Sequence, residues 1–350
     1  MKPDRLARFL TIAICLLLLL SLTACKLTIF QPHPTIVQPT EDTGGLSAAE
    51  SATLSSLEKL DDYPLYVMNY VGDYQSPWTS ASLPAGSSFA CSLFASLADD
   101  GDMFYGRNFD WEFSPSLLLF TNPTDGYASV SMVNLSFLRI SIQTAMELTD
   151  LPLTERTTLL AAPWTPTDGM NEYGLAIAMA AVPDEFMDDA PDDPSLPTID
   201  SLGIMRQLLD HARDVDEAVQ LFGSYNIDFT GGPPVHYLLA DRSGKAVLVE
   251  FYQGERVELL NQAPFHLATN HMRCIAFGDG GCWRYRTLSD RLSSMGGHLD
   301  TASAMQLLSD VQQEFTQWSS LYDITSGDVH VVIDRDYSTS YAFHLDMAQP

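Results

Sequence analysis

The sequence predicts an α+β fold in which antiparallel sheets are covered by helices. Two observations predict it. Strand-like and helix-like runs come in blocks instead of alternating one by one, which disfavours a doubly wound parallel sheet. No Gly-rich phosphate loop follows a strand, which disfavours a nucleotide enzyme as well.

The first block opens at "YPLYVMNYVGDY" (63–74), an aromatic, β-prone stretch where order is expected to begin. After the loop-like "QSPWTSASLPAGSS" come "CSLFASLA" and "MFYGRNFDW", two apolar runs around the hairpin signal "DDGD". "GMNEYGLAIAMAAV" (169–182) reads as a turn followed by a buried strand, and the acid-rich "DEFMDDAPDDPS" as a solvated loop. Helices follow in "SLGIMRQLLDHA" and "DVDEAVQLFGSY", the second with Asp214 as N-cap and Glu217 three residues on. "VHYLLAD" and "AVLVEFY" form a hairpin with "RSGK" at its tip, and "APFHLATNH" is another strand. Helices return at 285–295 and 301–314, with Thr301 as N-cap, before three closing strands in "SSLYDI", "DVHVVIDR" and "SYAFHLD".

The N-terminus, "MKPDRLARFLTIAICLLLLLSLTACK", joins a basic start to an apolar run too short to span a bilayer comfortably, ending in a lipobox-like "LTAC". Residues 1–24 therefore read as a lipoprotein signal peptide with Cys25 as the lipidated residue; a plain signal peptide or an uncleaved anchor is the alternative. The expected location is extracytoplasmic and membrane-anchored, on a bacterial cell surface or periplasmic face. Residues 25–62, rich in Pro, Thr, Ser and Gly, read as a flexible tether.

Removing residues 1–24, which carry three cations and one anion, takes the formal charge from −27 to −29. So acidic a surface argues against nucleic acid or anionic lipid as a partner, since both need cationic contacts. At 46% hydrophobic residues the rest can bury a large core. Beyond Cys15 and Cys25 there remain Cys91, Cys274 and Cys282. "CIAFGDGGC" either closes a disulfide between Cys274 and Cys282 or leaves two thiols; in both cases an odd thiol remains, and Cys91 is expected to be free.

A turn centred on "DDGD" pairs Cys91 with Asp110 and Phe94 with Arg107. Opposed Cβ atoms lie ~5 Å apart and diagonal ones ~7–8 Å, so thiol, guanidinium and carboxylate are expected in one cluster, unless the register slips by one and flips the faces. That cluster suits nucleophilic chemistry, because cysteine attacks as a thiolate and a neighbouring cation favours that form. No histidine lies nearby in sequence to take the proton. If Cys91 were itself an N-terminus, its α-amine, with an ordinary pKa of about 7.7–8.0, would serve as base, with Asp110 holding it in place.

"CSLFASLADDGDMFYGRNFDWEF" resembles the opening of the N-terminal-nucleophile amidases of the choloylglycine hydrolase group, in which Arg and Asp follow the cysteine by sixteen and nineteen residues. That group includes bile salt hydrolase, penicillin V acylase, acid ceramidase and isopenicillin-N acyltransferase-like enzymes. "DGMNEYGLAIA" resembles its second motif, "GxNExGL", and "LATNH" the strand that supplies an oxyanion-hole asparagine, here Asn270. The resemblance implies a four-layer αββα sandwich and self-processing before Cys91. Residues 63–90 would then be a propeptide segment and 91–350 the catalytic domain.

It also implies roles. Cys91 is nucleophile and, through its amine, base; Arg107 stabilises the thiolate; Asp110 orients the amine; Asn270 donates to the oxyanion. Asn171 either joins the site or shapes the turn before Gly174. The family's second oxyanion asparagine falls on Ala181, so a backbone N–H would have to replace it. A late arginine is Arg284 or, nearly as well, Arg286. No cofactor or metal is implied. The expected activity is hydrolysis of a linear, non-peptide N-acyl amide through a thioester. An acyltransferase on the same scaffold, or a non-catalytic ligand-binding lipoprotein, is the rival reading. The substrate is a small molecule, and no oligomer is specified.

Overall fold

The computed structural model describes residues 26–29, 45–74, 90–98, 102–276 and 278–349. The expected signal peptide and the lipidated Cys25 lie outside them. Strands β1 (Lys26–Ile29), β2 (Glu58–Asp61) and β3 (Leu65–Asn69) precede Cys91. The opening hairpin is β4 (Ser92–Ser96) and β5 (Phe104–Asp110), followed by β6 (Ser116–Thr121), β7 (Ser129–Asn134), β8 (Pro166–Asn171) and β9 (Ala176–Ala181). A small pair, β10 (Thr198–Asp200) and β11 (Asn226–Asp228), precedes β12 (Val235–Ala240), β13 (Ala246–Tyr252), β14 (Glu255–Leu260) and β15 (Phe265–Ala268). The last strands are β16 (Thr316–Asp323), β17 (Asp328–Ile333) and β18 (Thr339–His344). The helices are α1 (Ala48–Ser55), α2 (Ile142–Met146), α3 (Gly203–His211), α4 (Val215–Phe222), α5 (Trp283–Ser294) and α6 (Thr301–Asp310).

Two large sheets form. One runs β1-β18-β17-β16-β5-β4-β15, the other β14-β13-β12-β9-β8-β7-β6-β3-β2. Pairing within them is antiparallel except at β1–β18 and β3–β6, where the segment ahead of Cys91 joins. Because side chains alternate along a strand, each sheet has an inner and an outer face. Phe94, Phe104, Leu267 and Leu321 point outward from the first sheet and pack with Leu288, Leu292, Leu307 and Leu308 of α5 and α6. Gly106 is required there, since a Cβ would collide with the Phe94 ring. Leu93, Ala95, Tyr105 and Phe109 point inward and share the main core with the second sheet, whose outer side carries α3. The four-layer αββα arrangement is thus present.

The structure corrects several expectations. Order begins well before residue 63: part of the supposed tether forms α1, with a Ser47–Glu50 capping box, and β2, which pairs with β3. The signal was a capping box followed by Leu54 and Leu57, which bury against Tyr66, Leu117 and Leu119. The N-cap of α6 is Asp300, one residue before the expected Thr301, and the helix stops at Asp310. The hairpin register also differs by one residue, pairing Leu93 with Arg107 and Phe94 with Gly106. A one-residue slip changes which side chains share a face. Cys91 and Arg107 therefore lie on the inner face, while Asp110 turns outward.

Candidate active site

On the inner face, Cys91 ends as a buried thiol with Arg107 Nη2 3.4 Å from its sulfur. Diagonal neighbours across β4 and β5 make that contact possible. The guanidinium is fixed from the opposite sheet: Nη1 lies 2.9 Å from Asp168 Oδ2 and also donates to the Thr167 carbonyl. Asp168 in turn accepts from the Tyr322 hydroxyl at 2.6 Å. Phe109 lies under the guanidinium, 4.8 Å from its centre, and stacks on Trp318. Burial alone would lower the Arg107 pKa, but the facing sulfur and the Asp168 carboxylate outweigh it and raise it. A permanent cation is thereby held against the thiol in a water-poor core.

On the outer face, Arg284 of α5 is the hub. Its Nη1 donates to the Cys91 carbonyl and to Ser92 Oγ (3.0 Å) and lies 3.5 Å from Asp110 Oδ2, while Nη2 reaches Asn270 Oδ1 at 3.0 Å. Asn270 Oδ1 also accepts the Cys91 backbone N–H at 2.7 Å. The Asn270 amide nitrogen donates to the Ala181 carbonyl at 2.8 Å. Asp110 is buried and accepts from Gln313 (2.6 Å) and Thr316. Burial pushes its carboxyl up to about 6 against the opposing pull of those donors and of Arg284.

Cys91, Arg107, Asp110, Asn270 and Arg284 therefore converge, with two changes of role. Asp110 reaches the Cys91 backbone through Arg284, and the atom facing the Cys91 nitrogen is the Asn270 side-chain oxygen. Ala181 contributes its carbonyl to Asn270, in place of the expected backbone donor. Arg286 is excluded from the cluster: it is exposed and pairs with Asp279. Asn171 takes the turn-shaping alternative, donating to the Leu209 and Ala212 carbonyls and accepting from the Tyr173 and Leu175 backbones. Gly174 completes that turn at φ +81°.

Cys274 and Cys282 are free thiols, not the disulfide weighed above. Their surroundings oppose each other: burial and the Glu250 carboxylate push Cys274 up to about 12. At Cys282 burial acts the same way, but hydrogen bonds from His271, Thr269 and the Tyr285 backbone bring it down to about 6. Sequence reasoning missed Asp168, although it is the acid that opens the quoted "DGMNEYGLAIA". Tyr322, Gln313 and Thr316 come from more than 200 residues beyond Cys91 and carried no local signal.

Residues 157–344 match the family model described as acyl-coenzyme A:6-aminopenicillanic acid acyl-transferase. Among solved structures, a mutant conjugated bile acid hydrolase from Clostridium perfringens is similar at 15% identity and a TM-score of 0.53, over 74% of this chain and 93% of that one. Penicillin V acylase from Agrobacterium tumefaciens is similar at 16% identity and a TM-score of 0.50, over 74% and 88%. At these identities the likeness bears on the fold, which is that of the N-terminal-nucleophile sandwich. No curated protein matches the sequence.

Proposed function

Because the chain belongs to the acyl-coenzyme A:6-aminopenicillanic acid acyl-transferase family, within the N-terminal-nucleophile group shared with choloylglycine hydrolases, we propose that it is a cysteine amidase cleaving a linear, non-peptide N-acyl amide through a thioester. The observation that carries this reading is the double grip on Cys91: its sulfur against Arg107 and its backbone nitrogen against Asn270.

Activation starts with attack of Cys91 Sγ on the Ala90 carbonyl carbon. The acyl chain moves from nitrogen to sulfur, and water then splits the thioester into an Ala90 carboxylate and a free Cys91 amine and thiol. Arg284, on the Cys91 carbonyl, and Asn270, on the nitrogen, hold that residue while its bonds change. β3 is hydrogen-bonded along β6, with Leu65, Tyr66 and Met68 buried, so the released segment stays bound as part of the second sheet.

In turnover the amine takes the thiol proton and the thiolate, favoured by Arg107, adds to the substrate carbonyl. In this reading the Asn270 amide nitrogen, which carries two N–H groups, donates one to the oxyanion, a contact of a kind that contributes ~3–4 kcal/mol. The leaving amine takes the proton, and water releases the acid from sulfur. A lipidated Cys25 beyond a cleaved signal completes the proposal and places the enzyme outside the cytoplasm.

The family's description favours one second reading, acyl transfer to an amine. Processed protein is incubated with N-acyl amino acids, bile-salt conjugates and penicillin V, with and without a competing amine. Equal yields of free acid and amine are expected. Conversion to a new amide at the expense of acid makes it a transferase, and binding without any product makes it a non-catalytic binder.

A further inference from the structure

His236 on β12 and Glu250 on β13 are buried and oppose each other one residue beyond the Tyr237–Val249 pair, with Nδ1 2.9 Å from Oε1. The other ring nitrogen lies 2.7 Å from the Thr269 carbonyl oxygen. A carbonyl only accepts, so Nε2 carries a proton. Glu250 also accepts the backbone N–H groups of Arg273 and Cys274, each at 2.7 Å. Burial alone would raise its carboxyl, but His236 and those two N–H groups outweigh that and lower it. The ring therefore bridges the Glu250 carboxylate and the Thr269 carbonyl inside the core.

Thr269 immediately precedes Asn270, and Arg273 and Cys274 follow it closely. β15 is an edge strand whose ladder partner is β4 alone, and it ends at Ala268. Beyond that point the backbone is held from the other sheet, by His236 on one side of Asn270 and Glu250 on the other. The ionisable groups around the pair are His266, whose Nε2 is engaged by the Leu259 carbonyl, Arg273, and the Cys274 thiol, which is hydrogen-bonded to Glu250. We propose that the hydrogen-bonded His236–Glu250 pair is the clamp that positions Asn270 against the Cys91 nitrogen and Arg284. The proposal rests on the amidase reading for its kinetic consequence. His236 touches no reacting atom and is a positioning residue.

Three measurements test it. In the wild type, ¹H–¹⁵N correlation of labelled histidine is expected to show a His236 Nε2 proton protected from exchange by the Thr269 carbonyl. His236→Gln retains a donor for Thr269 but sets a carbonyl oxygen against Glu250; kcat is expected to fall on the order of 100-fold, the scale of a 1 Å misplacement. Alkylation of Cys91 should keep its rate, because Arg107 is untouched. Adding Glu250→Gln supplies an N–H at that contact and is expected to restore about tenfold of the loss, a non-additive result.

A His236 Nε2 proton that exchanges freely overturns the proposal, as does a His236→Gln enzyme within about threefold of wild-type kcat, or a double variant whose losses simply multiply. A wild type that turns over no amide, yet keeps the protected Nε2 proton and whose Asn270 side-chain amide resonance loosens in His236→Gln, overturns the amidase reading and leaves the clamp standing.

Discussion

Arg107 and Asp110 sit three residues apart on β5, yet they govern different atoms of Cys91. The inner-face group is a guanidinium paired with a buried carboxylate, 2.9 Å away, and pressed on the sulfur. The outer-face group is a carboxyl held near 6 that meets the Cys91 backbone through Arg284. One strand thus separates a fixed charge that serves the thiol from a titratable network that serves the nitrogen and carbonyl. The two faces should respond differently to mutation and to pH.

The largest effect is expected from Arg107→Leu. It strands Asp168 in the core, where breaking a buried pair costs about 3–5 kcal/mol. Chemical denaturation measures that loss, and the rate of Cys91 alkylation should fall; an unchanged rate would deny the inner face its role. Next, Arg284→Met unties the outer face. Turnover should drop on the order of 100-fold while the alkylation rate is kept, and a rate that fell with it would merge the two faces.

Asp110→Asn comes third and reads out through pH. Its folded value of about 6 lies above the ordinary 3.8, so the native state holds the proton more tightly. The stability this group contributes is present below about pH 4 and lost as pH rises through 6, on the order of 2–3 kcal/mol. Wild-type melting temperature should therefore decline across that window relative to Asp110→Asn; parallel curves would contradict the assignment. Asn171→Ala is the control outside both faces. It should cost about 1–3 kcal/mol through the orphaned carbonyls and leave kcat unchanged.

What the sequence revealed followed distance along the chain. The spacing from Cys91 to Arg107 and Asp110 was legible because one hairpin contains all three. Which face each occupied was not, since a turn signal as short as "DDGD" leaves the register open by one residue and one residue reverses the face. Arg284 and Arg286 lie in the same first turn of α5, and only packing on β4 and β15 selects the former. Asn171 kept two readings until the C-terminal end of α3 supplied acceptors for its amide. The opening hairpin and most strands and helices from 169 onward were readable from period and caps, but β6, β7, α2, β10, β11 and β14 were not among those expected, and "SAAESATLSSL" looked like linker because its small residues hid the cap and the leucine pair. The His236–Glu250 clamp was latent in the "RSGK" hairpin, whose tip sets those two residues opposite each other.

Intact-mass analysis of protein matured in its native host bears most directly on the claim that scission before Cys91 makes the nucleophile. The account predicts two co-purifying fragments, one ending at Ala90 and one beginning at Cys91 with a free α-amine, and a single unbroken chain for Cys91→Ala. Amide turnover by a wild-type chain whose Ala90–Cys91 bond is intact would contradict it.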